Sequence, residues 1–126
     1  MLWGWYNRTS QLQLAENLHR AYERHDAAAM EALFCWEGVD EATHARVRLA
    51  ILQEFELPVE SVVVKPILAT DGHAGPGLRP NLAPAVTMVV TYGTPDHLSA
   101  AFLAGRPNFW SPFRLIVMIP PPNSGS

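Results

Sequence analysis

From about residue 10 to residue 56 the apolar positions of this chain recur at helical spacing; from Val59 onward they alternate in twos. Leu14, Leu18, Ala21 and Tyr22 form an i, i+4, i+7, i+8 stripe opposed by Glu16, Asn17, Arg20 and Glu23, which predicts a first amphipathic helix at about 10–25. Ser10-Gln11-Leu12-Gln13 fits a capping box at its start, a hydroxyl and an amide able to satisfy the end amides reciprocally. A break follows at His25-Asp26, where Asp26 is expected to cap a short second helix at about 27–35 that presents Met30, Leu33 and Phe34. Gly38 ends that run, and Asp40 is expected to cap a third helix, with Glu41 in the positive first turn. Val47, Ala50, Ile51 and Phe55 form its apolar stripe, and Leu57-Pro58 stops it, because the residue before proline avoids the helical region.

The β-branched run from Val59 to Leu68 predicts a strand, with Pro66 marking an edge or bulge. Asp71 to Pro84 is rich in glycine and proline and predicts a loop, either a lid or a disordered connection. Ala85 to Tyr92 alternates Val86, Met88, Val90 and Tyr92 against Thr87, Val89 and Thr91. Leu98–Ala104 and Phe113–Ile119 give two more strands, separated by turns at Gly93–Asp96 and Gly105–Asn108. The expected fold is a single α+β domain over 1–126: an N-terminal arm at 1–9, helices at 10–56, an antiparallel sheet at 57–119 and a frayed tail at 120–126. Three N-terminal helices laid on a curved four-stranded antiparallel sheet build a cone-like, cystatin-like roll with a pocket inside.

Composition narrows the function classes. At 126 residues, with 48% hydrophobic and 17% charged positions, the chain can bury one core without staples. A net charge of −3 and dispersed Lys and Arg residues provide no cationic field for nucleic acid. Cys35 is the sole cysteine, so no internal disulfide forms. No apolar run reaches the roughly 18 residues of a membrane helix, and Met1–Tyr6 is too short and lacks the basic start of a signal peptide. A soluble, cytoplasmic protein is the expectation, unless the chain is excised from a longer secreted precursor. Asn7-Arg8-Thr9 matches a glycosylation sequon by chance.

Candidate chemistry is sparse. Glu37 and Asp40 lie three residues apart beside Trp36, with His44 one helical turn after Asp40. A carboxylate held against an indole acts as an acid or base when its pKa is raised; otherwise Asp40 is a cap and Glu37 is solvated. The five histidines form no i, i+4 pair and have no cysteine partner, so no metal is expected, and no cofactor is expected because no phosphate loop or nucleophile elbow occurs. Tyr22, Trp36, Tyr92 and Trp110, with Phe102 and Phe109, either line an apolar cavity or fill the core. Trp3, Trp5 and Tyr6 need a surface to cover, and the strands carry apolar residues on both faces. Helices cover only one face, so a homodimer is expected.

The run Ala21-Tyr22-Glu23-Arg24-His25-Asp26-Ala27-Ala28-Ala29-Met30-Glu31-Ala32-Leu33-Phe34, followed by a third helix and a sheet, resembles the nuclear-transport-factor-like superfamily, which includes SnoaL-type polyketide cyclases and ketosteroid isomerase. Leu33–Val39 and Arg79-Pro80-Asn81-Leu82 look like segments of an uncharacterised bacterial domain of similar layout. The isomerase resemblance implies a tyrosine eight positions before the aspartate of the break and a general-base aspartate sixteen after it. Those positions here are Leu18 and Ala42, with Tyr22 one turn later on the same face as Leu18. The expected function is a non-catalytic binding or interaction module, using the cone for a small apolar ligand or the outer sheet face for a partner. The alternatives are an isomerase-type enzyme acting by general acid–base catalysis on a hydrophobic molecule, and a purely structural dimerisation domain.

Overall fold

The computed structural model describes residues 2–67, 77–108 and 110–120, with side-chain positions from residue 8 onward. Helix α1 (Leu2–Arg24) is followed by α2 (Ala27–Glu31) and α3 (Glu41–Glu54). The first helix begins at Leu2, not near residue 10, so Ser10 lies inside it and the expected arm is helical from residue 2. No proline interrupts residues 2–10, and a helix once nucleated extends at little cost past a capping signal. His25 ends α1 in the left-handed region (φ 51°), where Asp26 N–H donates to the Ala21 carbonyl and His25 N–H to that of Tyr22, the closing pattern usually built around glycine. Asp26 then caps α2 by accepting from Ala29 N–H at 3.1 Å, and Asp40 caps α3 by accepting from Thr43 N–H at 2.7 Å.

Strands β1 (Val59–Pro66), β3 (Val86–Tyr92), β4 (Ser99–Gly105) and β5 (Arg114–Leu115) form an open four-stranded antiparallel sheet in the order β1-β3-β4-β5. A bulge at Glu60 shifts the β1/β3 register between Val59↔Tyr92 and Ser61↔Thr91. A second, two-stranded sheet pairs β2 (Arg79–Pro80) with β6 (Met118–Ile119). The single last strand expected over 113–119 is therefore two, each in a different sheet. Asn81 makes the switch: its backbone N–H donates to the Val117 carbonyl and its side-chain oxygen accepts from Val117 N–H at 3.0 Å. Its amide also donates to the carbonyls of Cys35 (2.7 Å) and Glu37 (3.1 Å), tying the link after α2 to the sheet. Of the expected loop, residues 71–76 lie outside the described residues, as do Phe109 and residues 121–126 of the tail.

Helices α1 and α3 meet the same sheet face, as their stripes predict. Leu14, Leu18, Ala21 and Tyr22 from α1 share one core with Met30, Phe34, Ile51 and Phe55, and with Met88, Val90, Tyr92, Ala104 and Leu115 from the sheet. Ala50 departs from its stripe, being exposed. At Gly105 an added Cβ would overlap the Ala83 carbonyl oxygen, so only glycine permits this close approach of the loop to β4. Among the described residues no helix is long and apolar enough to cross a membrane.

Leu18 is fully buried, whereas Leu12, also on α1, is 48% exposed. Leu18→Ala is expected to lower unfolding free energy by about 2–5 kcal/mol through lost transfer energy and a residual cavity. Leu12→Ala should shift it by no more than about 0.5 kcal/mol. Urea denaturation of the two variants beside the parent checks the pair, and equal losses would contradict the packing described.

Candidate functional site

Tyr22 near the end of α1, Glu54 at the end of α3 and Tyr92 at the end of β3 converge on one hydrogen-bonded chain. The Tyr22 hydroxyl donates to Glu54 Oε2 at 2.6 Å and lies 3.1 Å from the Tyr92 hydroxyl. A phenol has one proton; when Tyr22 gives its own to an ionised Glu54, Tyr92 must donate to Tyr22. The rings are fixed edge-to-face, Tyr22 against Tyr92 at 5.9 Å and against Phe55 at 5.7 Å. Burial pushes the Glu54 carboxyl above the usual carboxylate range, against the opposing effect of the Tyr22 bond. Its place at the negative end of α3 acts in the same direction as burial. Burial also raises Tyr22, reinforced by its bonds to Glu54 and Tyr92, and raises Tyr92, so both phenols stay protonated.

Glu54 also lines an open cavity of about 650 Å³ between α3 and the sheet. Phe34, Val47, Ile51, Phe102, Ile116 and Met118 supply its apolar wall, and Thr43 and Arg46 join Glu54 along α3. Arg46 donates to the Thr43 hydroxyl at 3.1 Å. This is the ligand-sized concavity with the mostly apolar lining that small-molecule sites share.

The expected acid–base group of Glu37, Asp40 and His44 is not assembled. Glu37 is exposed, and Asp40 is spent on its cap, its carboxyl held below the usual range by the backbone of Thr43. His44 does have a carboxylate partner, but it is Glu31 of α2, with His44 Nε2 2.9 Å from Glu31 Oε1. Arg48 Nε donates to the same oxygen at 3.1 Å. Since Oε1 can only accept, Nε2 carries the proton, and the 3.4 Å approach of Arg48 to that nitrogen is a contact without a shared proton. Burial tends to raise the Glu31 carboxyl, yet the bonds from His44 and Arg48 hold it below its ordinary value. Trp36 stacks on the His44 ring at 4.0 Å and donates its Nε1–H to the Glu31 carbonyl at 2.8 Å. The cluster clamps α2 to α3.

Of the aromatic residues expected to share a pocket, Tyr22 and Tyr92 come together at the polar chain. Trp36 sits with His44 and Phe34 instead, beside a smaller groove formed with Glu37 and Pro112. Trp110 is 76% exposed on the turn where the Asn108 side chain accepts from the Trp110 and Ser111 amides. Sequence reasoning missed Glu54 and Glu31. Glu54 carries a signal, because it stands seven residues after Val47 and three after Ile51, an acid on the apolar stripe. Glu31 carries none, since its partners lie on another helix. Among the described residues no group of three or more His, Cys, Asp or Glu side chains is arranged to hold a metal ion. No family model matches this chain, and no curated protein or solved structure matches it.

The two carboxylates give opposite pH dependences. Glu54 binds its proton more tightly in the folded protein than at its ordinary value of 4.5, so its contribution to stability grows as pH falls through the raised pKa towards 4.5. Glu31 is held below 4.5, so its contribution is present above 4.5 and is lost as pH falls through the lowered pKa. Denaturation measured across a pH series is expected to show both arms. Glu54→Gln should flatten the arm above 4.5 and leave the acid-side loss in place.

Proposed function

We propose that this protein binds a small, largely apolar molecule in the cavity between α3 and the sheet and performs no chemistry on it. The observation that carries this reading is the cavity itself: about 650 Å³, walled by aliphatic and aromatic side chains. Ligand sites fall in the range of roughly 300–1,000 Å³. Leu78 at its border is 45% exposed, an apolar surface that a ligand would cover. The order of elements, three helices before an open antiparallel sheet, supports a nuclear-transport-factor-like, cone-shaped roll whose mouth receives the ligand.

A second reading, general acid–base catalysis on a hydrophobic substrate, has one observation in its favour: the Glu54 carboxyl with its raised pKa beside Tyr22 and Tyr92. Against it, Glu54 is the one acid among the described residues lining the cavity, and both phenols are held protonated. Proton transfer on a substrate calls for groups of matched pKa near working pH. Leu18 and Ala42 also leave the isomerase positions apolar. Binding without chemistry is the reading we adopt.

We further propose that two copies pair through the sheet face that the helices leave bare. Val63, Val89 and Ala101 sit in register across β1, β3 and β4 on that face, and Val63 is 44% exposed. Their small, flat side chains suit sheet-on-sheet packing.

Two measurements test these readings. The uncharged hydrocarbon probe diphenylhexatriene, fluorescent only out of water, is expected to bind saturably. Ala50→Trp, at an exposed α3 position on the cavity, should weaken that binding at least about tenfold by filling the space. Absence of saturable binding, or equal binding by the variant, would remove the cavity reading. For assembly, light scattering at micromolar concentration should give a dimer for the parent and a monomer for Val63→Glu; a monomeric parent would refute pairing.

A further inference from the structure

The cavity is electrically polarised. Arg46 and Glu54 both line the cavity from α3, eight residues apart, which is just over two turns or about 12 Å along the helix axis. Val47, Ala50 and Ile51 fill the interval, so a cation marks one end of an apolar floor and a carboxyl the other.

The Glu54 end is half satisfied. Oε2 accepts the Tyr22 hydroxyl at 2.6 Å, while Oε1 accepts no hydrogen bond from the described residues. No buried side-chain oxygen or nitrogen among the described residues lacks a partner, so Oε1 is not sealed in the core. Solvent reaches it, and Glu54 is one of the residues that line the cavity. A carboxylate there has lost much of its hydration, and the Tyr22 proton offsets only part of that loss.

We infer that the cavity takes an elongated amine, an apolar body with one protonated nitrogen seated on Glu54 Oε1. An ammonium group donates the missing hydrogen bond and supplies the missing counter-charge in one contact. A hydroxyl donates the bond but leaves the charge uncompensated. A carboxylate head is repelled at this end and drawn to Arg46, which places its tail towards the polar chain. Arg46 repels the ammonium from its own end, so the cavity also fixes the ligand's direction. The Tyr22 and Tyr92 chain holds the acceptor in place and lets it ionise when the amine enters. This ligand class rests on the binding reading given above and refines it.

Displacement of diphenylhexatriene by octylamine, octanol and octanoate separates the two. With the parent protein at neutral pH, octylamine is expected to displace the probe at least about tenfold more effectively than octanol, with octanoate the weakest. In Glu54→Gln the advantage of the amine over the alcohol should vanish. In the parent the same advantage should shrink as the pH falls through the raised Glu54 pKa, while displacement by octanol stays level. The titratable groups around Glu54 are Tyr22 from α1 and Tyr92 from β3. Arg46 lies along α3, and His25 lies at the end of α1, with its ring 5.6 Å from Phe55. Should Glu54→Gln fail to fold, the pH profile of the parent alone decides. Equal displacement by amine and alcohol, or strongest displacement by octanoate, overturns the amine while leaving the apolar cavity standing. Failure of the probe to bind overturns the cavity reading and the amine with it.

Discussion

One phenol joins the layers of this fold. Tyr22 is buried on α1, packs edge-to-face on Phe55 beyond α3 and on Tyr92 at the end of β3, and places its hydroxyl between a carboxyl and a second phenol. A hydroxyl this deep must find partners or lose the free energy of its hydration. Here they are supplied where the ends of α1, α3 and β3 come to one point. That requirement sets the relative position of the two long helices on the sheet. It also draws a carboxyl to the edge of a mostly apolar cavity, so a demand of packing places the one acid found among the described residues of the cavity wall.

A second set of polar ties fixes the link after α2 and the last segment of chain. Asn81 bonds backbone groups of residues 35, 37 and 117, and the last segment of chain leaves the main sheet where that side chain meets Val117. Cys35 N–H donates to the Leu115 carbonyl and Leu115 N–H to that of Leu33, lacing the link after α2 to β5. The Glu31, His44 and Arg48 cluster then locks α2 to α3. Because α2 has only five residues, it could not persist without such ties. The cavity exists because these ties hold α3 against the sheet at one end while Ala50 and the open rim leave space at its middle.

The histidine cluster illustrates why a good arrangement of catalytic residue types need not be a site. His44 has a carboxylate, a cation and an indole around it, yet the cation shares the carboxylate oxygen. The Glu31 carboxyl is held below its ordinary value by both donors, which makes it a poor base. Glu54 stands in the reverse condition, with one donor and an environment that disfavours its charge.

Period and capping residues by themselves determined that there are three helices, the caps at Asp26 and Asp40, and the antiparallel strands at 59–66, 86–92 and 99–105, because those features depend on neighbours within a few positions; the second helix, expected to run to 35, ends at Glu31. The buried stripes of α1 and the inward set Val86, Met88, Val90 and Tyr92 were legible for the same reason. Tertiary structure alone decided the division of the last strand between two sheets, the partner of His44, and the chain of Tyr22, Glu54 and Tyr92. Each depends on groups far apart in the chain: Asn81 with Val117, Glu31 with His44, Tyr22 with Glu54 and Tyr92. The early start of α1 is a local feature that the capping signal at Ser10 obscured, set by unbroken propagation past it. Local chemistry names the elements; which polar groups must satisfy one another when those elements are pressed together is settled only in three dimensions, because burial is what makes an unpaired group costly.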